Sequence, residues 1–292
     1  VPAPAEGVVD AHVHVVAADH AAYPLQPMPL SGPWYREAPC TAEELLTRMD
    51  AAGVARAILV QPLGAYSHDN RYAADSAARH PERFAAVCCV DPNGDDPVGA
   101  LTHWVGERGM RGVRLVALAR DGAPRLDDPR SRPLWERAAG LGVPVVVTIF
   151  FHQLPELEKV LHRHPEVPVA LDHCAFPPLA HEPWPEALPL FGLAAHGNLY
   201  LKVSTHVLDA AARGGDPRRF VAALAERFGA ERLLWGSDFS QTHDRPYAHL
   251  VELGREACAA LSPEGRAWCL GRSAARLWPP VDRPRAPAVD RA

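Results

Sequence analysis

No stretch of this chain stays apolar for the roughly 20 residues that a membrane-spanning helix requires, and the opening "VPAPAEG" has neither the basic nor the apolar region of a signal peptide. Positive charge is not in excess either. Thirty Lys and Arg stand against 35 Asp and Glu, for a net charge of −5, which argues against nucleic acid or an anionic membrane as the main partner. The six cysteines form no CxxC pair and no dense framework, which excludes a disulfide scaffold and a thiolate metal module. Cys88 and Cys89 lie inside an apolar run, where cysteine behaves as a small hydrophobe, so the chain reads as cytoplasmic with free thiols. Also missing is a glycine-rich phosphate loop after the first apolar run, the mark of a nucleotide-binding open sheet. Histidines stand there instead.

That first run is "GVVDAHVHVVAADH", from Gly7 to His20. Side chains two apart on a strand point the same way, so alternation puts Asp10, His12 and His14 on one face. Seven further runs follow, each separated from the last by a segment of helical period. They are "ARAILVQ" (55–61), "FAAVCCV" (84–90), "GVRLVAL" (112–118), "VPVVVTIFF" (143–151), "VPVALDHC" (167–174), "LYLKVS" (199–204) and "RLLWGSDF" (232–239). Thr41, with Glu44 at the capping-box position and Gly53 as a stop, brackets the first long helix. Eight strand–helix repeats predict parallel βαβ units and a single (β/α)8 barrel over residues 8–278. A flexible amino terminus (1–7) and a disordered proline-rich tail (279–292) flank it.

Active sites in such a barrel lie at the carboxyl ends of the strands, and the polar residues of the runs cluster there. Beyond strand 1 they are Gln61, Arg114, Thr148 with His152, Asp172 with His173, Lys202 with Ser204, and Ser237 with Asp238. Lys202, in the middle of an apolar strand, needs an anion, supplied by substrate or by a neighbouring carboxylate. Asn70 in "HDNRY" either binds substrate or caps the helix that follows.

"VVDAHVHV" near the start and "LLWGSDF" near the end resemble the amidohydrolase superfamily, in its amidohydrolase-related (type 2) branch. Within that branch the chain is similar to the 2-pyrone-4,6-dicarboxylate lactonases and related sugar lactonases. The segments that carry this likeness are "QPLGAYSHDNRY", "RGVRLVALAR", "PVALDHCAFP" and "LYLKVS". The resemblance implies a hydrolase in which water, activated by Asp238, attacks an ester carbonyl polarised by His12 and His14 or by a metal they hold. His173 would handle the proton of the leaving oxygen. It further implies Arg114 and Arg120 as a grip on a substrate carboxylate, with Lys202, Asn70 and His206 as further substrate contacts.

On cofactors the resemblance points two ways: one divalent ion such as Zn²⁺ on His12, His14, His152 and Asp238, or none, as in the lactonase group. Strand 4 offers Arg114 and no bridging lysine or glutamate, which speaks against a binuclear site. Where the lactonases place an arginine after strand 7, this chain has His206, pointing away from a dicarboxylate and toward a less acidic small molecule. Two other readings compete. One is a metal-dependent non-oxidative decarboxylase of an aromatic or unsaturated acid, which would use a histidine ending strand 5. The other is a barrel that binds a small acid without turning it over. A homo-oligomer is left open.

Overall fold

The computed structural model describes residues 7–28, 32–118 and 126–280. Eight parallel strands form one sheet in sequence order: β1 (Val8–Val13), β2 (Val54–Val60), β3 (Phe84–Cys89), β4 (Val113–Val116), β5 (Val145–Thr148), β6 (Val169–Leu171), β7 (Leu199–Ser204) and β8 (Leu233–Gly236). The sheet curls back on itself. Val13 bridges to Phe239 in parallel, and the Asp238 N–H donates to the His12 carbonyl at 2.8 Å. Gly236 is what lets β8 come this close to β1, because a Cβ there would lie 2.8 Å from that of His12. The expected barrel is thus present, with helices between successive strands. Thr41 and Glu44 close the capping box, and Gly53 ends that helix at φ 68°. No helix among the described residues is long and apolar enough to cross a membrane.

The apolar side chains divide into two layers. Outside the sheet, Val13, Leu59, Val145, Leu171 and Leu201 pack with helix residues such as Leu45, Leu134 and Leu224. A smaller set that includes Val9, Ala11, Ile58, Val87, Val146 and Leu234 fills the barrel, with Trp278 among it. Register fixes which side is inner: Arg114 pairs with Val146 and Lys202 with Leu234, and both cations converge on Asp172.

This layering corrects the simple alternation expected for strand 1. The register of β1 against β2 shifts between Asp10 and Val13, so Val9 and Ala11 pack with the inner set while Val13 packs with the outer. Asp10 accordingly does not share the face of His12 and His14. Its carboxylate accepts from the Ser237 N–H (2.9 Å), the Ser237 hydroxyl (2.6 Å) and the Tyr247 hydroxyl (3.1 Å). Burial drives its pKa up to about 6 against these hydrogen bonds. Asp10 therefore fastens β1 to the β8 turn.

Candidate active site

The carboxyl ends of β1, β6 and β8 bring His12, His14, His173 and Asp238 together in the buried floor of the barrel mouth. Two of these residues stand in the left-handed region, His173 at φ 53° and Asp238 at φ 59°. Non-glycine residues hold such angles only where the surrounding structure enforces them. At both places the chain turns sharply as it leaves its strand.

His12 Nε2 lies 3.3 Å from His14 Nε2, and Asp238 Oδ1 lies 3.4 Å from each. The other ring nitrogens settle the tautomers. His14 Nδ1 donates to the Val60 carbonyl at 2.8 Å, and His12 Nδ1 donates to the acceptor-only carboxylate of Asp172 at 3.1 Å. Lys202 Nζ lies 3.3 Å from that same His12 nitrogen but bonds Asp172 Oδ1 at 3.0 Å. Neutral rings of these tautomers leave both Nε2 atoms as bare lone pairs. Burial, reinforced by the charge of Lys202, holds the pKa of His12 well below its usual value.

Asp238 Oδ1 is buried without a hydrogen-bond donor. Three acceptors thus face one another. One proton would serve one edge of the triangle, whereas a cation serves all three corners. Ligands about 2.0–2.1 Å from a tetrahedral ion lie about 3.3–3.4 Å apart, the spacing found here. These donors form one of two groups of metal-ligating side chains among the described residues; the other joins His12 to Asp172 and His173.

Asp172 is the counterpart of this triangle. Besides His12 and Lys202, it accepts from Arg114 Nε (2.8 Å) and the Thr148 hydroxyl (2.7 Å). Burial opposes its charge, yet Lys202 and Arg114 hold its carboxyl well below the usual carboxylate range. In the sequence Asp172 stands only as a polar residue at a strand end, with no role assigned to it. The signal was Lys202, whose required anion is this carboxylate. Lys202 itself is fully buried, with its ammonium 5.6 Å from the centre of the Trp278 ring. That corrects its placement as a substrate contact.

Above the floor opens a cavity of about 250 Å³, lined in part by Arg114, Thr148, Phe150, His173, Phe176 and His206. His206 reaches Asp238 Oδ2 with its Nε2 at 3.1 Å and is half exposed. That hydrogen bond outweighs burial and raises its pKa. His173 places Nδ1 2.8 Å from the Ser204 hydroxyl, and burial pushes its pKa down to about 4.

Two further expectations need correction. His152 occupies a one-turn helix, Phe151–Gln153, past the end of β5; it is exposed and stacks on Phe150. The strand period that would have turned it inward ends at Thr148. Asn70 lies at the start of its helix, but its side chain neither caps the helix nor enters the pocket. Instead it bonds the Cys89 backbone from both ends of its amide, at 2.7 and 3.0 Å. Arg120 lies outside the described residues.

The amidohydrolase family model matches residues 9–279. An L-fucono-1,5-lactonase from Burkholderia ambifaria is 30% identical over an alignment of 293 positions that covers 94% of this chain and 96% of that protein. Among solved structures, one from Pseudomonas putida, provisionally named a 2-pyrone-4,6-dicarboxylic acid hydrolase, superposes with TM-score 0.75 at 24% identity. It is covered to 98%, and this chain to 94%. An amidohydrolase from Burkholderia multivorans with bound zinc gives TM-score 0.72 at 22% identity, covering 93% of this chain and 98% of its own. At such identities the two structures speak for the shared barrel alone.

Proposed function

We propose, for a chain that belongs to the amidohydrolase family, that it is a hydrolase adding water across the ring ester of a small lactone. The observation that carries this reading is the donor-free triangle of His12, His14 and Asp238 at the floor of a pocket walled by His173 and His206. The donor set fits one divalent ion of the zinc class, two imidazole nitrogens and a carboxylate oxygen being its usual ligands. His12, His14 and Asp238 would hold it; when bound, it supplies Lewis acidity to the ester carbonyl.

The side chains divide the proton work. Asp238 takes the proton of the attacking water. Its Oδ2 accepts from His206 Nε2, a hydrogen bond that orients the carboxylate beneath the pocket. His173, neutral above a pH of about 4, takes the proton of the newly added hydroxyl and hands it to the leaving ring oxygen, which returns the imidazole to its neutral form. The Ser204 hydroxyl on its Nδ1 can donate or accept, so it supports either tautomer as His173 changes role.

Among the described residues, each cation lining the pocket already faces a carboxylate: Arg114 faces Asp172, and His206 faces Asp238. This favours a neutral, hydroxyl-bearing lactone of the sugar type over a dicarboxylate, in keeping with the fuconolactonase relative. The outward His152 counts against the decarboxylase reading, which would use a histidine at the end of strand 5. The six free, buried thiols support placing the protein in the cytoplasm.

The deciding experiment is a substrate panel. L-Fucono-1,5-lactone, other sugar lactones and 2-pyrone-4,6-dicarboxylate are followed by acid release, and 2,6-dihydroxybenzoate by loss of CO₂. Turnover of a neutral sugar lactone above all others is expected. Release of CO₂ with no lactone opened would overturn the assignment.

A further inference from the structure

Arg56 and Arg111 share a cavity at the end of the barrel opposite the active site. Arg56 stands near the amino end of β2, paired in register with Val9, and is only 5% exposed. One of its terminal nitrogens, Nη1, donates to the Trp278 carbonyl at 3.1 Å, while its Nε is buried with no partner. Arg111, half-buried, enters from the loop before β4. Both line a cavity of about 130 Å³ whose other walls include Ala74, Ala78, Phe84 and Pro279. Arg108 on the same wall is already matched by Asp75 at 2.6 Å. Among the described residues no carboxylate pairs with Arg56 or Arg111.

Such a pair is costly as it stands. A buried guanidinium with a carbonyl on one terminal nitrogen and nothing on Nε keeps part of its donor set unmet, and a second cation beside it adds repulsion. Burial and the charge of Arg111 both weaken the hold of Arg56 on its proton. If the position needed only filling, a methionine or leucine would suit the alanine and phenylalanine walls without that cost. Two planar forks around a small space match an oxyanion of double charge, because guanidinium binds phosphate through paired N–H donors.

We propose that this cavity is a second, non-catalytic site that takes a phosphate group between Arg56 and Arg111. The phosphate could be free or carried on a small monoester, and the two sources are separable. Thermal unfolding of the full chain is compared in chloride, inorganic phosphate and glycerol 3-phosphate at matched pH and ionic strength.

With inorganic phosphate, Tm should climb and saturate, by roughly 5–10 °C at a hundredfold excess over Kd. An equal climb with glycerol 3-phosphate would show that monoesters also fit, and its absence would assign the site to the free ion. Arg111→Gln should abolish the climb while leaving lactone turnover unchanged, which separates this cavity from any anion bound near Arg114. Arg56→Met should do the same, and should it fail to fold, Arg111→Gln carries the test alone. Equal Tm in phosphate and chloride, or a climb undiminished in Arg111→Gln, would overturn the proposal.

Discussion

Two buried clusters share His12 and are opposites in their hydrogen bonding. Around Asp172 donors abound: Lys202, Arg114, the Thr148 hydroxyl and His12 Nδ1 all point at one carboxylate. On the other side of the same ring, His12 Nε2, His14 Nε2 and Asp238 Oδ1 meet with no donor among them. The first cluster is completed by the protein's own side chains and the second is not. A fold can keep an incomplete polar cluster in its core when a ligand completes it. The Asp172 cluster therefore holds the rings in place, and the triangle is where we propose that the chemistry happens. His12 links them, its tautomer set by Asp172 and its lone pair offered to the triangle, as a carboxylate behind a histidine orients a metal ligand.

This contrast predicts that the two carboxylates fail in different ways. Asp238→Asn should lower kcat/KM on a lactone by roughly 10²- to 10⁴-fold, with Tm no lower, since it removes an acceptor from a site with too many. A collapse in stability would show that Asp238 is structural. Asp172→Asn should instead cost about 3–5 kcal/mol in urea unfolding, because two buried cations lose their anion. Adding Lys202→Met should restore part of that loss. If the double variant is no better than the single, Lys202 is not what Asp172 neutralises.

Acid exposes a third difference, this time between His173 and Asp10. His173 has its pKa lowered from 6.5 to about 4 in the fold. Its contribution is intact above pH 6.5 and is lost as pH falls toward 4, by about 3 kcal/mol for a shift of this size. Asp10 is raised from 3.8 to about 6, so its contribution has the other sign: it is complete below pH 3.8 and fades as pH rises through 6. Between pH 4 and 6 the two oppose one another. Unfolding titrations of His173→Gln should lose the acid-labile part, and those of Asp10→Asn should make the acid lability steeper. Unchanged slopes in both variants would remove these groups from the account.

The smallest expected effect belongs to Arg114→Ala. Its Nε is committed to Asp172 and Thr148, so the loss, about 1.5–3 kcal/mol for a charge-assisted hydrogen bond, should fall alike on neutral and carboxylate-bearing lactones and lower Tm. A selective loss on the carboxylate-bearing substrate would reinstate Arg114 as a grip on substrate.

The barrel was legible because its eight apolar runs, divided by helical segments and glycine stops, carry the period of each element on the surface of the sequence. The convergence of His12, His14, His173 and Asp238 could be anticipated too, since strand ends in this fold share one rim. What stayed hidden depended on local departures from period or on partners distant in the chain. The register shift in β1 turned Asp10 away from the histidines. The early end of β5 left His152 outside. Lys202 announced a need for an anion, but only the fold could show that Asp172, thirty residues earlier and just past the end of the neighbouring strand, meets it.

The triangle also separates the question of metal from His152, to which sequence reading had tied it. Three ligands at tetrahedral spacing suffice without a fourth from strand 5. The most direct test of the account is the metal dependence of lactone turnover, measured on one preparation before chelation, after chelation and after restoring zinc, with bound metal quantified each time. One ion per chain, activity lost with it and regained on its return, is the predicted result. Full turnover by a metal-free chain would contradict the account.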